Sequence, residues 1–193
     1  MTKRIGVLAL QGDFAEHLHV LNRLGVCGRE VRLPEHLHEL DGLIIPGGES
    51  TTIGKLAVEF SLMEPLRKFA QTRPVWGTCA GAIFLSKDAR RDQPLLEIMD
   101  IIVERNAFGR QVASFETDIP VPALQTFGEE NPPYHAVFIR APLIEAVNGE
   151  ARILAALPDG RIVAAQQGHL LATSFHPELT PDERFHRYFL HLT

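Results

Sequence analysis

The chain predicts an α/β fold: a three-layer sandwich with a mostly parallel central sheet flanked by helices, and an antiparallel, strand-rich second half. Three observations carry this. In the first half, short continuous apolar runs alternate with amphipathic segments of helical length, the pattern of strands buried on both faces. In the second half, apolar runs follow one another closely, and Pro158-Asp159-Gly160 between two of them is a hairpin signal. Gly47-Gly48 and Cys79 fall where predicted strands end, the carboxyl edge at which such sheets gather functional residues.

Ile5 to Leu10 reads as the first buried strand. Asp13 follows as a helix N-cap, with Glu16 as capping-box partner. Phe14, Leu18, Leu21 and Leu24 share one helical face, and Gly25 stops the helix. A weaker strand is expected around Val31, then a buried one at Leu43-Ile44-Ile45 ending in Pro46-Gly47-Gly48. Ser50 is expected to cap the next helix, and Glu64-Pro65 opens another, since proline suits a first turn. Pro74-Val75-Trp76 gives a strand, and Ala82 to Leu85 a helix directly after Cys79.

Beyond that point strands are expected at Ile101–Val103, Ser114–Asp118, Val137–Ile139, Ile153–Leu157, Arg161–Ala165 and Leu170–Phe175. Gln125 to Pro133 reads as a loop, broken by Gly128 and Pro132-Pro133. Thr180-Pro181-Asp182-Glu183 combines a capping box with a first-turn proline, so a last helix is expected from there to near Leu192.

A length of 193 residues suffices for one domain, 1–193, with a substantial core. The net charge of −5 gives no basic surface for nucleic acid or an anionic membrane. Lys3-Arg4 and the apolar run after it are too short for a signal peptide, and no stretch reaches the roughly 18 apolar residues of a membrane span. Two cysteines give no disulfide framework, which suits a reducing cytoplasm. Cys27 is expected to be a bystander.

Gly77-Thr78-Cys79-Ala80-Gly81 places a cysteine at a strand-to-helix elbow. Small neighbours let the chain turn sharply and leave the sulfur exposed at the bend, while the helix start favours the thiolate. A tight turn around a buried cysteine would carry the same string. His176-Pro177-Glu178 offers a base and a carboxylate to orient it. A residue before proline is extended, and two residues apart in an extended chain point to the same side, although such a pair could equally end a strand. Together the two motifs indicate cysteine-based acyl transfer. Pro46-Gly47-Gly48-Glu49-Ser50-Thr51-Thr52 fits an oxyanion site with the amide of Ala80 as second donor, or simply a turn and a cap. No Gly-Lys-Ser/Thr follows, which excludes a Walker phosphate loop. The other eight histidines show no metal-ligand spacing and read as solvated surface. No metal and no cofactor is expected.

These residues match a known pattern. The chain resembles the triad (class I) glutamine amidotransferases, and among them the glutaminase subunits of pyridoxal 5′-phosphate synthase. The resemblance rests on Gly6 to Gly12, Pro46 to Thr52, Gly77 to Gly81, Glu104 to Gln111, Phe138 to Pro142 and Ser174 to Leu179, in order along nearly the whole chain. One departure is Glu97, at a place that is often glycine in the family; it bears on a loop conformation and not on the chemistry.

The resemblance implies a flavodoxin-like sandwich and assigns roles. Cys79 would attack the carboxamide of L-glutamine, His176 would move the protons, and Glu178 would orient His176. Gly48 (or Gly47) and Ala80 would bind the oxyanion. Gly48, Glu49, Ser50, Arg105, Ile139 and Arg140 would surround the substrate. Glu49 suits its ammonium and an arginine its carboxylate, with Arg105 and Arg140 both open candidates. The ammonia would go to a (β/α)₈-barrel synthase subunit in a heteromeric complex.

Overall fold

The computed structural model describes residues 2–105, 114–127 and 132–193. Its elements in chain order are β1 (Arg4–Leu8), α1 (Phe14–Arg23), β2 (Cys27–Val31), β3 (Gly42–Ile45), α2 (Ser50–Glu59), α3 (Met63–Ala70), β4 (Val75–Thr78), α4 (Ala80–Leu85), β5 (Ser86–Asp88) and β6 (Met99–Glu104). There follow β7 (Ser114–Ile119), β8 (Tyr134–Ile139), β9 (Leu143–Val147), β10 (Arg152–Ala156), β11 (Ile162–Gln167), β12 (Leu170–Thr173) and α5 (Arg184–Leu192).

Strands β2, β1, β3, β4 and β12 lie side by side and all parallel. The sheet continues antiparallel through β11, β9 and β6 and ends with β5 parallel to β6; β10 pairs with β11. The hairpin turn before β11 uses Gly160 at φ 88°, as the Pro158-Asp159-Gly160 signal requires. A separate ribbon pairs β7 with β8. The expected parallel first half and antiparallel second half are therefore both present, in one mixed sheet.

Alternation along the strands sorts the core onto two faces. Leu43, Ile45 and Val75 join Ile53, Leu66 and Phe84 on the side covered by α2, α3 and α4. Ile44, Trp76 and Leu171 join Leu21, Phe185 and Phe189 under α1 and α5, with Tyr134 and Phe138 of the ribbon on the same side. Burying strands on both faces removes their side chains wholly from water, and the continuous apolar runs of β3 and β4 are the sequence counterpart.

Several local expectations are corrected. Helix α1 follows Asp13, but the Asp13 side chain makes no capping bond. Glu49, not Ser50, caps α2: it is extended (φ −109°, ψ 110°), and its carboxylate accepts from the Thr51 and Thr52 amides. The last helix begins at Arg184, not at Thr180. Thr180 instead follows a 3₁₀ turn at Pro177–Leu179, and its hydroxyl lies 3.2 Å from the Tyr134 hydroxyl, while Asp182 accepts from the Arg184 amide. Thr180 is spent on closing a turn against the core, so a cap-like string opened no helix there. β12 stops at Thr173, before Phe175. Strands β5 and β9 were not anticipated; Leu143–Val147 follows Pro142 without alternation. Part of the expected 125–133 loop is a 3₁₀ turn, Pro122–Phe127, and 128–131 lie outside the described residues. At Glu97 the backbone is left-handed, φ 57°, a conformation that glycine adopts without strain.

Candidate active site

Register explains how distant segments meet. Ile45, Gly77 and Ala172 lie in line on adjacent strands β3, β4 and β12, so the chain leaves all three at the same edge. Pro46-Gly47-Gly48, Cys79 and Ser174-Phe175-His176 follow those exits directly. The loop after β1, paired to β3, adds Gln11, Gly12 and Asp13.

The elbow glycines have a packing reason. A Cβ on Gly77 would stand 2.5 Å from the Gly81 carbonyl, and one on Gly81 would stand 2.0 Å from the Ile45 carbonyl. Only glycines let α4 start this close to β3 and β4. Cys79 pays with a strained backbone, φ 49° and ψ −106°, held by its amide bonding to the Thr173 carbonyl at 2.8 Å. Such strain at a nucleophile position is a common mark of function.

Cys79, His176 and Glu178 come together. His176 Nδ1 is 2.7 Å from Glu178 Oε1, and the Cys79 sulfur is close enough to the ring to favour its charged form. All three are buried or nearly so, yet Cys79 and His176 line a cavity of about 400 Å³, the size of a small-molecule site. The alignment arises from the Pro177–Leu179 turn and not from the extended strand that the spacing suggested. Burial works against a charged His176, but the interactions of its ring with Cys79 and with the accepting Glu178 carboxylate outweigh it, and its pKa is pushed up to about 10. Burial raises Glu178, against the opposing pull of His176.

The glycine turn packs against this pair. A Cβ on Gly47 would come within 2.5 Å of His176 Cε1, and one on Gly48 within 2.4 Å of Gln11 Oε1. Gly48 has φ 152°. Gln11 Oε1 accepts from the Glu49 amide at 2.7 Å, and the Gly47 carbonyl from the Asp13 amide at 3.1 Å. Gly48, Ala80 and Ser50 line the cavity.

Glu49 and Arg105 also line the cavity. Glu49 meets Arg105 Nη1 at 2.6 Å, with both side chains partly exposed. Burial tends to raise Glu49, but the Thr52 hydroxyl and amide, the Thr51 amide and the Arg105 charge bring its pKa down to about 2. Arg140, at φ 44°, lines the same cavity and forms no ion pair among the described residues; Ile139 sits beside it, partly exposed. The six expected substrate residues thus line one space. Residues 106–111 of the Glu104 to Gln111 motif lie outside the described residues.

Sequence reasoning missed Gln11 and Asp13, although both stand at or beside a matched motif. Asp13 Oδ2 lies 3.5 Å from His176 Nδ1. It also missed His17 and His186, which are buried and not solvated. Their signal was present: His17 falls between Phe14 and Leu21 on the apolar stripe of α1. Asp13, His176 and Glu178 bring ligand-type atoms within 4.8 Å of one another, but His176 Nδ1 is already engaged by Glu178.

An α/β sheet with a cysteine elbow, an imidazole and a carboxylate at its carboxyl edge defines a class: proteins equipped for cysteine-nucleophile acyl transfer. Comparison narrows it. Residues 7–193 match the model of the SNO glutamine amidotransferase family. A Roseiflexus sp. (strain RS-1) protein named "Pyridoxal 5'-phosphate synthase subunit PdxT" is 57% identical, covering 96% of this chain and 98% of its own. One of the same name from Herpetosiphon aurantiacus is 58% identical, covering 97% and 99%. A solved structure titled "Crystal structure of glutamine amidotransferase" superposes with a TM-score of 0.89 at 50% identity, covering 97% of each chain. The chain belongs to the SNO glutamine amidotransferase family.

Proposed function

We propose that this chain hydrolyses L-glutamine to L-glutamate and ammonia and passes the ammonia to a synthase subunit that makes pyridoxal 5′-phosphate. The observation that carries the reading is the His176 ring, held by Glu178 at 2.7 Å and lining, together with Cys79, one cavity of substrate size. The names of the near relatives supply the pathway.

In this reading His176 holds the proton at neutral pH, so the sulfur attacks as thiolate. The carboxamide carbon becomes tetrahedral, and the Ala80 amide, at the unpaired start of α4, stabilises its oxyanion together with Gly48, or Gly47 beside it. His176 gives its proton to the departing ammonia. A glutamyl thioester remains, and His176 then takes a proton from the water that releases glutamate. Glu178 keeps the ring in register throughout. Arg140 has no competing carboxylate among the described residues and takes the substrate carboxylate. Arg105 and Glu49 stay paired, leaving Glu49 to meet the ammonium from its exposed side.

Free ammonia would be lost to water as ammonium, so the reading requires a partner: a (β/α)₈-barrel synthase combining a pentose phosphate with a triose phosphate. It takes residues 1–193 as one glutaminase domain, working in the cytoplasm, where Cys79 stays reduced. Among the described residues no helix is long and apolar enough to cross a membrane. The test is glutamate release from glutamine with and without the synthase. Weak release alone, a clear rise with the synthase, and loss of release in Cys79→Ala with glutamine binding retained are expected. Hydrolysis by Cys79→Ala would show that the nucleophile is another group.

A further inference from the structure

Behind Glu178, on the side away from His176, lies a second pair of imidazoles with no place in the chemistry above. His17 of α1 is fully buried, and His186 of α5 almost so. His17 Nε2 is 3.4 Å from Glu178 Oε2 and 3.2 Å from Thr78 Oγ1; His17 Nδ1 is 3.0 Å from His186 Nε2. Trp76 packs edge-on against both rings. We infer that His17 is a positioning residue for the acyl-transfer site: its Nε2–H, fixed in that tautomer by His186, anchors the outer oxygen of Glu178 and so holds the carboxylate against His176.

The tautomer follows from electrostatics. One hydrogen must lie between His17 Nδ1 and His186 Nε2. If His17 supplied it, the Nε2 lone pair of His17 would face the Glu178 carboxylate with both side chains fully buried, which is repulsive. If His186 supplies it, His17 Nε2 carries the hydrogen and points it between Glu178 Oε2 and Thr78 Oγ1. That assignment relieves two buried atoms at once. Glu178 Oε2 makes no completed hydrogen bond among the described residues and gains a donor nearby, and His186 Nδ1, also without one, becomes an acceptor and not a stranded N–H. At 3.4 Å the contact with Glu178 is looser than a formed bond, and a small rotation of the carboxylate closes it.

His17 serves as a neutral donor. Burial first, then the charges of His186 and His176, hold its pKa well below the ordinary value; burial and Arg23 bring His186 down to about 3. The contact with Glu178 is thus a dipole against a carboxylate, not an ion pair. The groups facing His17 are Glu178 from the 3₁₀ turn, Thr78 from β4, His186 from α5 and, at longer range, His176. A neutral donor supports the carboxylate without discharging it, which a cation placed there would do.

The inference rests on Glu178 acting on His176 as proposed, and the test separates the two. The amide nitrogen of Gln reaches the place of an imidazole Nε2, whereas that of Asn reaches only Nδ1, so His17→Gln keeps the donor and His17→Asn removes it. In complex with the synthase, His17→Asn is expected to lower kcat about 10- to 100-fold with KM for glutamine unchanged. It should also shift the NMR titration of His176 to lower pH. His17→Gln should restore most of both. Unchanged kcat and titration in His17→Asn, or equal losses in both variants, would overturn the inference. Hydrolysis by Cys79→Ala would instead overturn the underlying reading. A measurement on the unaltered protein decides the matter even where a variant does not fold: ¹⁵N imidazole shifts should show His17 neutral with the hydrogen on Nε2, and a hydrogen on Nδ1 would contradict it.

Discussion

The site holds two carboxylate–nitrogen pairs, one in its buried interior and one at its exposed rim, and they behave oppositely. In the interior Glu178 and His176 are buried, 2.7 Å apart, and burial raises the carboxylate's pKa. At the rim Glu49 and Arg105 are 2.6 Å apart and partly exposed, and amide and hydroxyl donors bring Glu49 down to about 2. The inner pair trades solvation for fixed geometry, so its loss should be felt in turnover. The outer pair keeps water and spare hydrogen-bonding capacity, so substrate can exchange with it, and its loss should be felt in binding and local stability.

The sharpest way to break the contrast is Glu178→Gln. It keeps the shape and removes the charge, and kcat should fall about 10³- to 10⁴-fold with little change in KM. The sign of the pH effect follows from His176. Its pKa near 10 is raised by Cys79 and Glu178, so the imidazolium and the stability it brings are present below the ordinary value of 6.5 and lost as pH rises through about 10. Without the carboxylate that loss should come at lower pH, visible as an alkaline limb of the rate profile moved downward. A large rise in KM with kcat unchanged would instead place Glu178 in substrate binding.

Smaller, and in the other parameter, is Arg140→Ala. Losing a charge-assisted bond to the substrate carboxylate should raise KM about 10- to 100-fold and leave kcat within a few-fold. An unchanged KM, with the rise found in Arg105→Ala, would exchange the two arginines. Smallest is Glu49→Ala, which removes the cap of α2 and should cost about 1 kcal/mol in a denaturant melt near neutral pH. Because Glu49 titrates low in the folded chain, its contribution is complete above 4.5 and disappears as pH falls through about 2. The difference between variant and parent should therefore vanish over that interval.

The two regions of the site also differ in how far they could be read from sequence. Cys79 was legible because an elbow demands glycines at fixed offsets, and at Gly77 and Gly81 a side chain would collide with neighbouring backbone. His176 and Glu178 were legible as a pair, although the geometry that aligns them is a turn and not a strand. Capping was less legible. Asp13 and Ser50 are good cap residues by composition, but Asp13 turned toward His176, and the longer Glu49 reached the α2 amides first. Such choices are made by tertiary neighbours that local preference does not contain. His17 was hidden for the same reason: a histidine on an apolar stripe declares its burial but not the carboxylate waiting for it across the core.

Labelling with a diazoketone analogue of glutamine, read by peptide mass spectrometry in the complex with synthase, tests the central account most directly. The adduct should form on Cys79 alone, be suppressed by excess glutamine, and leave the exposed Cys27 untouched. Adducts on Cys27 at an equal rate, or a Cys79 that stays unlabelled while glutamate is still produced, would contradict it.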